Sequence, residues 1–300
     1  MARKKKTGIG EAVKAVFWAG VIALGIRSFL FEPYHIPSDS MLPGLHVGDH
    51  LFVNKTAYGY SNRSMPFSPP IFGDRRIFPK QPERGDVIVF KRTQGREVRR
   101  KENYIKRLIG MPGESIQITR GLLHINGEPV QTESVGRFFV LNLPASMRRA
   151  RSVVLPTYNG QALTLVGGRR LYLAGRRLPR EEYTVAFKRR LRQPEVGEFR
   201  RYVETLPNGV SFEIIRSSDY GPMNNTIEYI VPEGHFFMLG DNRDNSEDSR
   251  WLDLVGYVAF KDLMGRAGII FYSHNGSVRF WEIWNWWRPI RYHRLLARIT

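Results

Sequence analysis

The chemistry open to this chain is narrowed first by what it lacks: none of its 300 residues is a cysteine. Disulfide scaffolds, thiolate metal sites and thiol nucleophiles are excluded, so covalent catalysis would have to use Ser, Thr, Lys or a carboxylate. The segment Tyr34-His35-Ile36-Pro37-Ser38-Asp39-Ser40-Met41-Leu42-Pro43 sets two serines in a turn stiffened by proline on both sides. Taken alone, it reads as an ST-turn whose hydroxyls bond the local backbone. A serine hydroxyl becomes a nucleophile only when a neighbouring base takes its proton, and the ordinary bases are His, Lys or a terminal amine. The histidines His35, His46, His50, His124, His235, His274 and His293 show no metal-ligand spacing, while His35 or His50 beside Asp49 could complete a Ser-His-Asp set. The acidic run Asp241, Asp244, Ser246 and Asp248 superficially invites Ca²⁺, but no glycine occupies the sharp-turn position and no Glu closes the loop. Metal binding is disfavoured.

The elements that must position these groups read mostly as strands. Short β-branched or aromatic runs recur between turn signals at 50–53, 86–90, 115–119 and 268–272. Asn126-Gly127 predicts a hairpin on a type I′ turn, and Pro207-Asn208-Gly209 is a second such signal. The stretch 54–81, rich in Ser, Pro, Gly and Arg, reads as a long surface loop. The expected fold is mainly β: an antiparallel β-sheet domain with an inserted β-rich subdomain, preceded by one N-terminal transmembrane helix. The boundaries expected are 1–11 for a basic tail, 12–32 for the helix, 33–130 and 231–275 for the two parts of the main domain, and 131–230 for the insertion. The insertion is marked by basic clusters at Arg148-Arg149, Arg169-Arg170, Arg176-Arg177 and Lys188-Arg189-Arg190. The segment 276–300 is Trp- and Arg-rich; Phe280, Ile283, Trp284 and Trp287 share a helical face suited to a membrane interface.

Charge agrees with an anionic surface as neighbour. Lys and Arg number 46 against 28 Asp and Glu, a formal net charge of +18 that attracts lipid headgroups or nucleic acid. Its placement favours lipid: Arg3, Lys4, Lys5 and Lys6 precede an apolar stretch from Val13 to Phe31 that is about 28 Å long as a helix and is expected to stop at Pro33. Lys14 and Arg27 lie near its ends, where they can snorkel, and the basic flank predicts a cytoplasmic N-terminus. An interfacial helix, or a cleaved leader ending near Ala23-Leu24-Gly25, are the alternatives.

Several blocks then resemble, in order, the bacterial type I signal peptidases, also called leader peptidases. They are Ile36-Pro37-Ser38-Asp39-Ser40-Met41-Leu42-Pro43 with Gly48-Asp49, Arg84-Gly85-Asp86-Val87-Ile88-Val89-Phe90, Tyr104-Ile105-Lys106-Arg107-Leu108-Ile109-Gly110-Met111-Pro112-Gly113, and Gly240-Asp241-Asn242-Arg243-Asp244-Asn245-Ser246-Glu247-Asp248-Ser249-Arg250. The resemblance covers mainly 30–55, 82–130 and 232–272. It implies a membrane-anchored serine endopeptidase that removes signal peptides after an Ala-x-Ala site through an acyl-enzyme, with Ser40 as nucleophile and a neutral Lys106 as general base. It further implies Ser38 as an oxyanion donor, Ser246 as the group that orients the lysine, and Arg107 with Asp241 and Asp248 with Arg250 as structural ion pairs. Ile36, Met41, Leu45, Tyr104 and Ile105 are implied to line apolar subsites.

No cofactor and no metal are implied. The partners implied are signal peptides and anionic membrane lipids, not nucleic acid, and the location implied is the outer face of a bacterial cytoplasmic membrane. Physically, Lys106 needs burial to be neutral, and its apolar-rich strand can supply it. The sequence departs from the family pattern at Asp39, where Gly is frequent, and at Ala259, where Pro commonly follows. The competing readings are a self-cleaving Ser/Lys repressor-type protease, which would carry a DNA-binding helical domain, and a non-enzymatic basic protein binding lipid or nucleic acid.

Overall fold

The computed structural model describes residues 9–65, 73, 75–92, 103–155, 160–188, 190–218, 221, 223–276, 287 and 289–300. The fold is mainly β with one long helix. Ile9–Phe29 form that helix, 21 residues that rise about 32 Å and so match the ~30 Å hydrocarbon core. Among the described residues, none of the apolar span Gly10–Phe29 is buried. The helix stops short of the expected end: Phe31–His35 is a strand, paired antiparallel with Asp49–Asn54. Pro33 is therefore not a helix stop but part of the outermost strand of the large sheet, where a missing N–H need cost no ladder bond. Lys55 Nζ donates to the Arg27 carbonyl at 3.1 Å and pairs with Glu32 at 2.8 Å, and the Tyr60 hydroxyl donates to the Phe29 carbonyl at 2.8 Å. These contacts satisfy helix-end carbonyls that lack intrahelical donors and join the helix to the β domain.

The large sheet runs from edge to edge Phe31–His35, Asp49–Asn54, Leu263–Ser273, Val87–Lys91, Asn103–Gly110, His235–Leu239 and Val258–Ala259. Its central strands are apolar on both faces because both are covered. Val87 and Val89 join Leu51, Val53 and Ile270 on one side, while Ile88 and Phe90 join Leu108, Phe236 and Met238 on the other. That alternation follows from the two-residue repeat of a strand.

Both turn signals close hairpins. Asn126 and Gly127 adopt φ of 53° and 81° between Leu122–Ile125 and Glu128–Pro129, the positive pair that a type I′ turn requires. Pro207-Asn208-Gly209 joins Glu195–Thr205 to Ser211–Arg216. Not every pairing is antiparallel: Tyr183–Lys188 runs parallel to Gln131–Pro144. A separate sheet of Ser152–Leu155, Leu163–Val166, Arg170–Leu173 and Arg176–Arg177 covers this pair with Leu155, Leu163, Leu165 and Leu171.

One expectation changes. The stretch expected as surface loop begins with a 3₁₀ turn, Lys55–Tyr58, capped by Asn54, whose side-chain oxygen accepts from Thr56 N–H at 2.9 Å; Lys55 and Tyr58 are buried. Local capping and a core-facing Tyr outweigh the polar composition there; 66–72 and 74 lie outside the described residues. In the C-terminal segment, Phe280, Ile283 and Trp284 lie outside the described residues, and Trp287 is exposed. The basic tail at Arg3–Lys6 also lies outside them. Residues 289–300 return to the sheet, where Ile270 N–H donates to Ala297 O at 3.0 Å and Ala297 and Ile299 pack against the core.

Candidate active site

The Ser40 turn hangs from the sheet at two adjacent roots. Ile36 N–H donates to Asp49 O at 2.8 Å and Gly48 N–H returns to Ile36 O at 3.0 Å. Ile36, Met41 and Leu45 drive the turn's apolar side into the core, each no more than 2 % exposed. Asn242 braces the tip: its N–H donates to Ser40 O and its side-chain amide to Asp39 O, both at 3.1 Å. The Ser40 hydroxyl is thereby held beside Lys106, which projects from Asn103–Gly110 opposite Ile88. Lys106 Nζ lies 2.5 Å from Ser40 Oγ, and the two residues are 3 % and 7 % exposed. Ser38 Oγ lies 3.4 Å from the same hydroxyl.

Burial sets the charge on the lysine. Desolvation lowers Lys106 from 10.5 to about 8, against the opposing pull of Asp248, Asp241 and Glu247 and with help from Arg250. That corresponds to about 3 kcal/mol against the ammonium form and leaves roughly one Lys106 in ten neutral at pH 7. The two buried carboxylates are matched by guanidinium groups. Arg107 donates to both oxygens of Asp241 at 2.8 Å, and Arg250 does the same to Asp248. Unmatched, either carboxylate would favour the ammonium and undo the effect of burial. Asp248 also accepts from Gly240 N–H at 3.0 Å.

Gly240 was not singled out by the sequence, yet it decides how closely the parts meet. A Cβ there would stand 2.1 Å from Ser246 Oγ and 2.6 Å from Ser40 O. Ser246 is buried in the same cleft, but its hydroxyl has no hydrogen-bond partner among the described residues. The expected bond from Ser246 to Lys106 is thus not formed in this structure, where the lysine is turned to Ser40.

Ser38, Ser40 and Lys106 open into a cleft of about 790 Å³ that Tyr104 and Ile105 also line. Ile36, Met41 and Leu45 lie in the core beneath the turn and are not part of the open cleft's lining. Met223, Trp251 and Leu254 supply apolar wall instead. Trp251, directly after the Asp248-Ser249-Arg250 block, was the available signal for that wall. None of the described histidines lines the cleft. His35 and His50 instead face each other at 4.9 Å between ring centroids, with His274 5.6 Å from His50. Geometry therefore removes the Ser-His-Asp alternative.

A serine hydroxyl bonded to a buried, partly neutral amine in an open cleft is the equipment of a serine hydrolase. The family and sequence comparisons with known proteins agree. A family model described as "Signal peptidase, peptidase S26" matches residues 9–272. A signal peptidase I of Rickettsia akari is 31 % identical over 92 % of this chain and 85 % of its own. Another, of Rickettsia typhi, is 32 % identical over 87 % of this chain and 78 % of its own. A solved signal peptidase I from Enterococcus faecalis is 24 % identical over 62 % of this chain and 97 % of its own, at a TM-score of 0.26. The chain belongs to the S26 signal peptidase family and is a serine endopeptidase.

Proposed function

We propose that this chain, held in the bacterial cytoplasmic membrane by Ile9–Phe29, removes signal peptides from exported preproteins after an Ala-x-Ala sequence. The single observation that carries the mechanism is the 2.5 Å contact between Ser40 Oγ and a lysine lowered to about 8. Neutral Lys106 accepts the Ser40 proton as Oγ attacks the scissile carbonyl carbon. The oxyanion is met by the Ser40 N–H and the Ser38 hydroxyl, each such donor contributing about 10²–10³ in rate. Lys106 then gives its proton to the leaving amine, which is the new N-terminus of the mature protein, and an ester remains on Ser40. A water, deprotonated by Lys106, attacks that ester; the tetrahedral intermediate collapses, the signal peptide leaves as its carboxylate, and Ser40 recovers its proton. Ser246 comes into play by accepting from the Lys106 ammonium once that proton has left Ser40.

Sheet pairing supports the way substrate is held. Leu239 pairs with Arg107 and the register continues towards Gly110, so that among the described residues 103–106 have no strand partner on that side. An extended signal-peptide end adds there as a strand, with its side chains directed at Tyr104, Ile105 and the apolar cleft wall. Pockets of this kind select small residues by size.

The basic flank Arg3–Lys6 supports an orientation with the N-terminus in the cytoplasm and the catalytic domain, 33–130 with 231–275, on the outer face. The net charge of +18 favours anionic lipid as the surface it works on. The test is cleavage of a preprotein whose leader ends in Ala-x-Ala, with the cut mapped by mass spectrometry. Cleavage directly after the second Ala, lost when either Ala becomes Leu or Asp, is expected. A cut that ignores those substitutions would overturn the specificity.

A further inference from the structure

Away from the cleft, the large sheet brings together three histidines that the sequence holds far apart. His35 ends the strand Phe31–His35 and faces His50 as its register partner. His50 in turn pairs with Tyr272, two residues before His274 on the neighbouring strand. Asp49, Leu51 and Val53 point into the core, so His50 stands on the outer face, half-buried, with His274 half-buried and His35 exposed beside it. One ring nitrogen from each of the three lies within 4.8 Å of the other two. We infer that His35, His50 and His274 bind a divalent transition cation of the Zn²⁺ class, and that this cation staples the two roots of the turn carrying Ser40.

Imidazole nitrogens suit Zn²⁺, Cu²⁺ and Ni²⁺, and three histidines with one open position are a known way to hold Zn²⁺. Zn–N bonds of about 2.0–2.1 Å place tetrahedral ligand nitrogens roughly 3.4 Å apart. Small rotations of the rings close the remaining gap. The charged neighbours are Asp49, which pairs with Arg294 at 2.7 Å and lies 3.9 Å from Arg291, and Arg291 itself, whose charge acts on His274. A cation therefore meets a positive group near His274 that Asp49 partly neutralises. His274 Nδ1 also accepts from Gly276 N–H at 3.1 Å. Ligation through either nitrogen gives up that contact, because a ring metallated at Nε2 carries its proton on Nδ1. The loss weakens binding by at most about tenfold.

The consequence lies in the connections. His35 directly precedes Ile36 and His50 directly follows Asp49, the two roots of the Ser40 turn. Backbone bonds join those roots, Ile36 N–H to Asp49 O, Gly48 N–H to Ile36 O, and His274 N–H to Gly48 O at 3.0 Å, while the Asp49 carboxylate accepts from Ser273 Oγ at 2.6 Å and pairs with Arg294 on the core side. A bound cation cross-links all three segments, stabilising the fold under the nucleophile without entering the chemistry.

The test uses the full, untagged chain in detergent, stripped with chelator and titrated with Co²⁺ and then Zn²⁺. Visible ligand-field absorption should saturate at about one Co²⁺ per chain and be displaced by Zn²⁺. At a hundredfold excess over Kd, Zn²⁺ should raise the thermal midpoint by about 5–10 °C. His274→Ala and His50→Gln should each lose both responses, whereas His124→Ala keeps them. No absorption band and no thermal shift in the wild-type chain, or an unchanged response in a folded His50→Gln or His274→Ala, would overturn the assignment. Both readouts are independent of proteolysis and should be the same in Ser40→Ala.

Discussion

A single methyl group at Gly240 should separate the dyad without removing any catalytic atom. An alanine Cβ there would lie 2.1 Å from Ser246 Oγ, 2.5 Å from Ser246 Cβ and 2.6 Å from the Ser40 carbonyl oxygen, where ordinary contact is 3.4–4 Å. Relief requires roughly 1 Å of movement, and rotating Ser246 cannot supply it because Cβ and a backbone oxygen are both in the way. The backbone at Gly240 is not left-handed, so the strain is one of contact alone. Overpacking of this kind costs about 1–3 kcal/mol, which a folded domain of this size survives. The Ser40 carbonyl is also bonded to Asn242 N–H, so the displacement is passed to the nucleophile's own backbone. A misplacement of about 1 Å in a reacting group is worth about 10² in rate. Gly240→Ala should therefore lower kcat about 100-fold on a preprotein substrate, with KM within about threefold and circular dichroism unchanged. Adding Ser246→Gly removes two of the three contacts but not the one to Ser40, so activity should stay low. A folded Gly240→Ala enzyme within a factor of two of wild type would refute the reasoning.

The lysine yields two further tests. Only its neutral form is a base, so kcat/KM should rise with pH through about 8 and level off above it. Because its folded pKa is depressed, the cost of burying the ammonium is present in full below about 8, fades as pH rises towards 10.5, and is gone above that. Lys106→Met should thus be inactive yet more stable than wild type at pH 7, by up to about 3 kcal/mol in urea unfolding, with no such gain near pH 10.5. Arg250→Met leaves Asp248 buried without its guanidinium. It should lose about 3–5 kcal/mol of stability and, where still folded, move the activity limb to higher pH. Ser38→Ala should lower kcat about 10²–10³-fold while the chain keeps its thermal midpoint.

What could be read from the sequence was local or carried by resemblance. Asn126-Gly127 and Pro207-Asn208-Gly209 announced their hairpins because turn backbone is dictated by the residues in the turn. The strand Val87–Lys91 was legible as a run of β-branched and aromatic residues between turn signals, while the burial of both its faces was not. Ser40 and Lys106 were found through the blocks around them, since a serine-rich turn and a strand lysine mean little apart. What escaped depended on which strands meet. Pro33 looked like a helix stop because edge position is a property of the assembled sheet. His35, His50 and His274 have no ligand spacing along the chain; their grouping exists only through the register of three strands. Gly240 opens one of the resembling blocks, but its need for a bare Cα appears only when Ser40 and Ser246 close over it.

The central claim is that Ser40 and Lys106 together cut the preprotein. It is tested most directly by incubating wild-type, Ser40→Ala, Lys106→Ala, His35→Ala and His50→Ala chains, each confirmed as folded, with one preprotein in lipid. Processing should vanish in the first two variants and persist in both histidine variants. Processing that survives without Lys106, or fails without His35 or His50, would contradict the account.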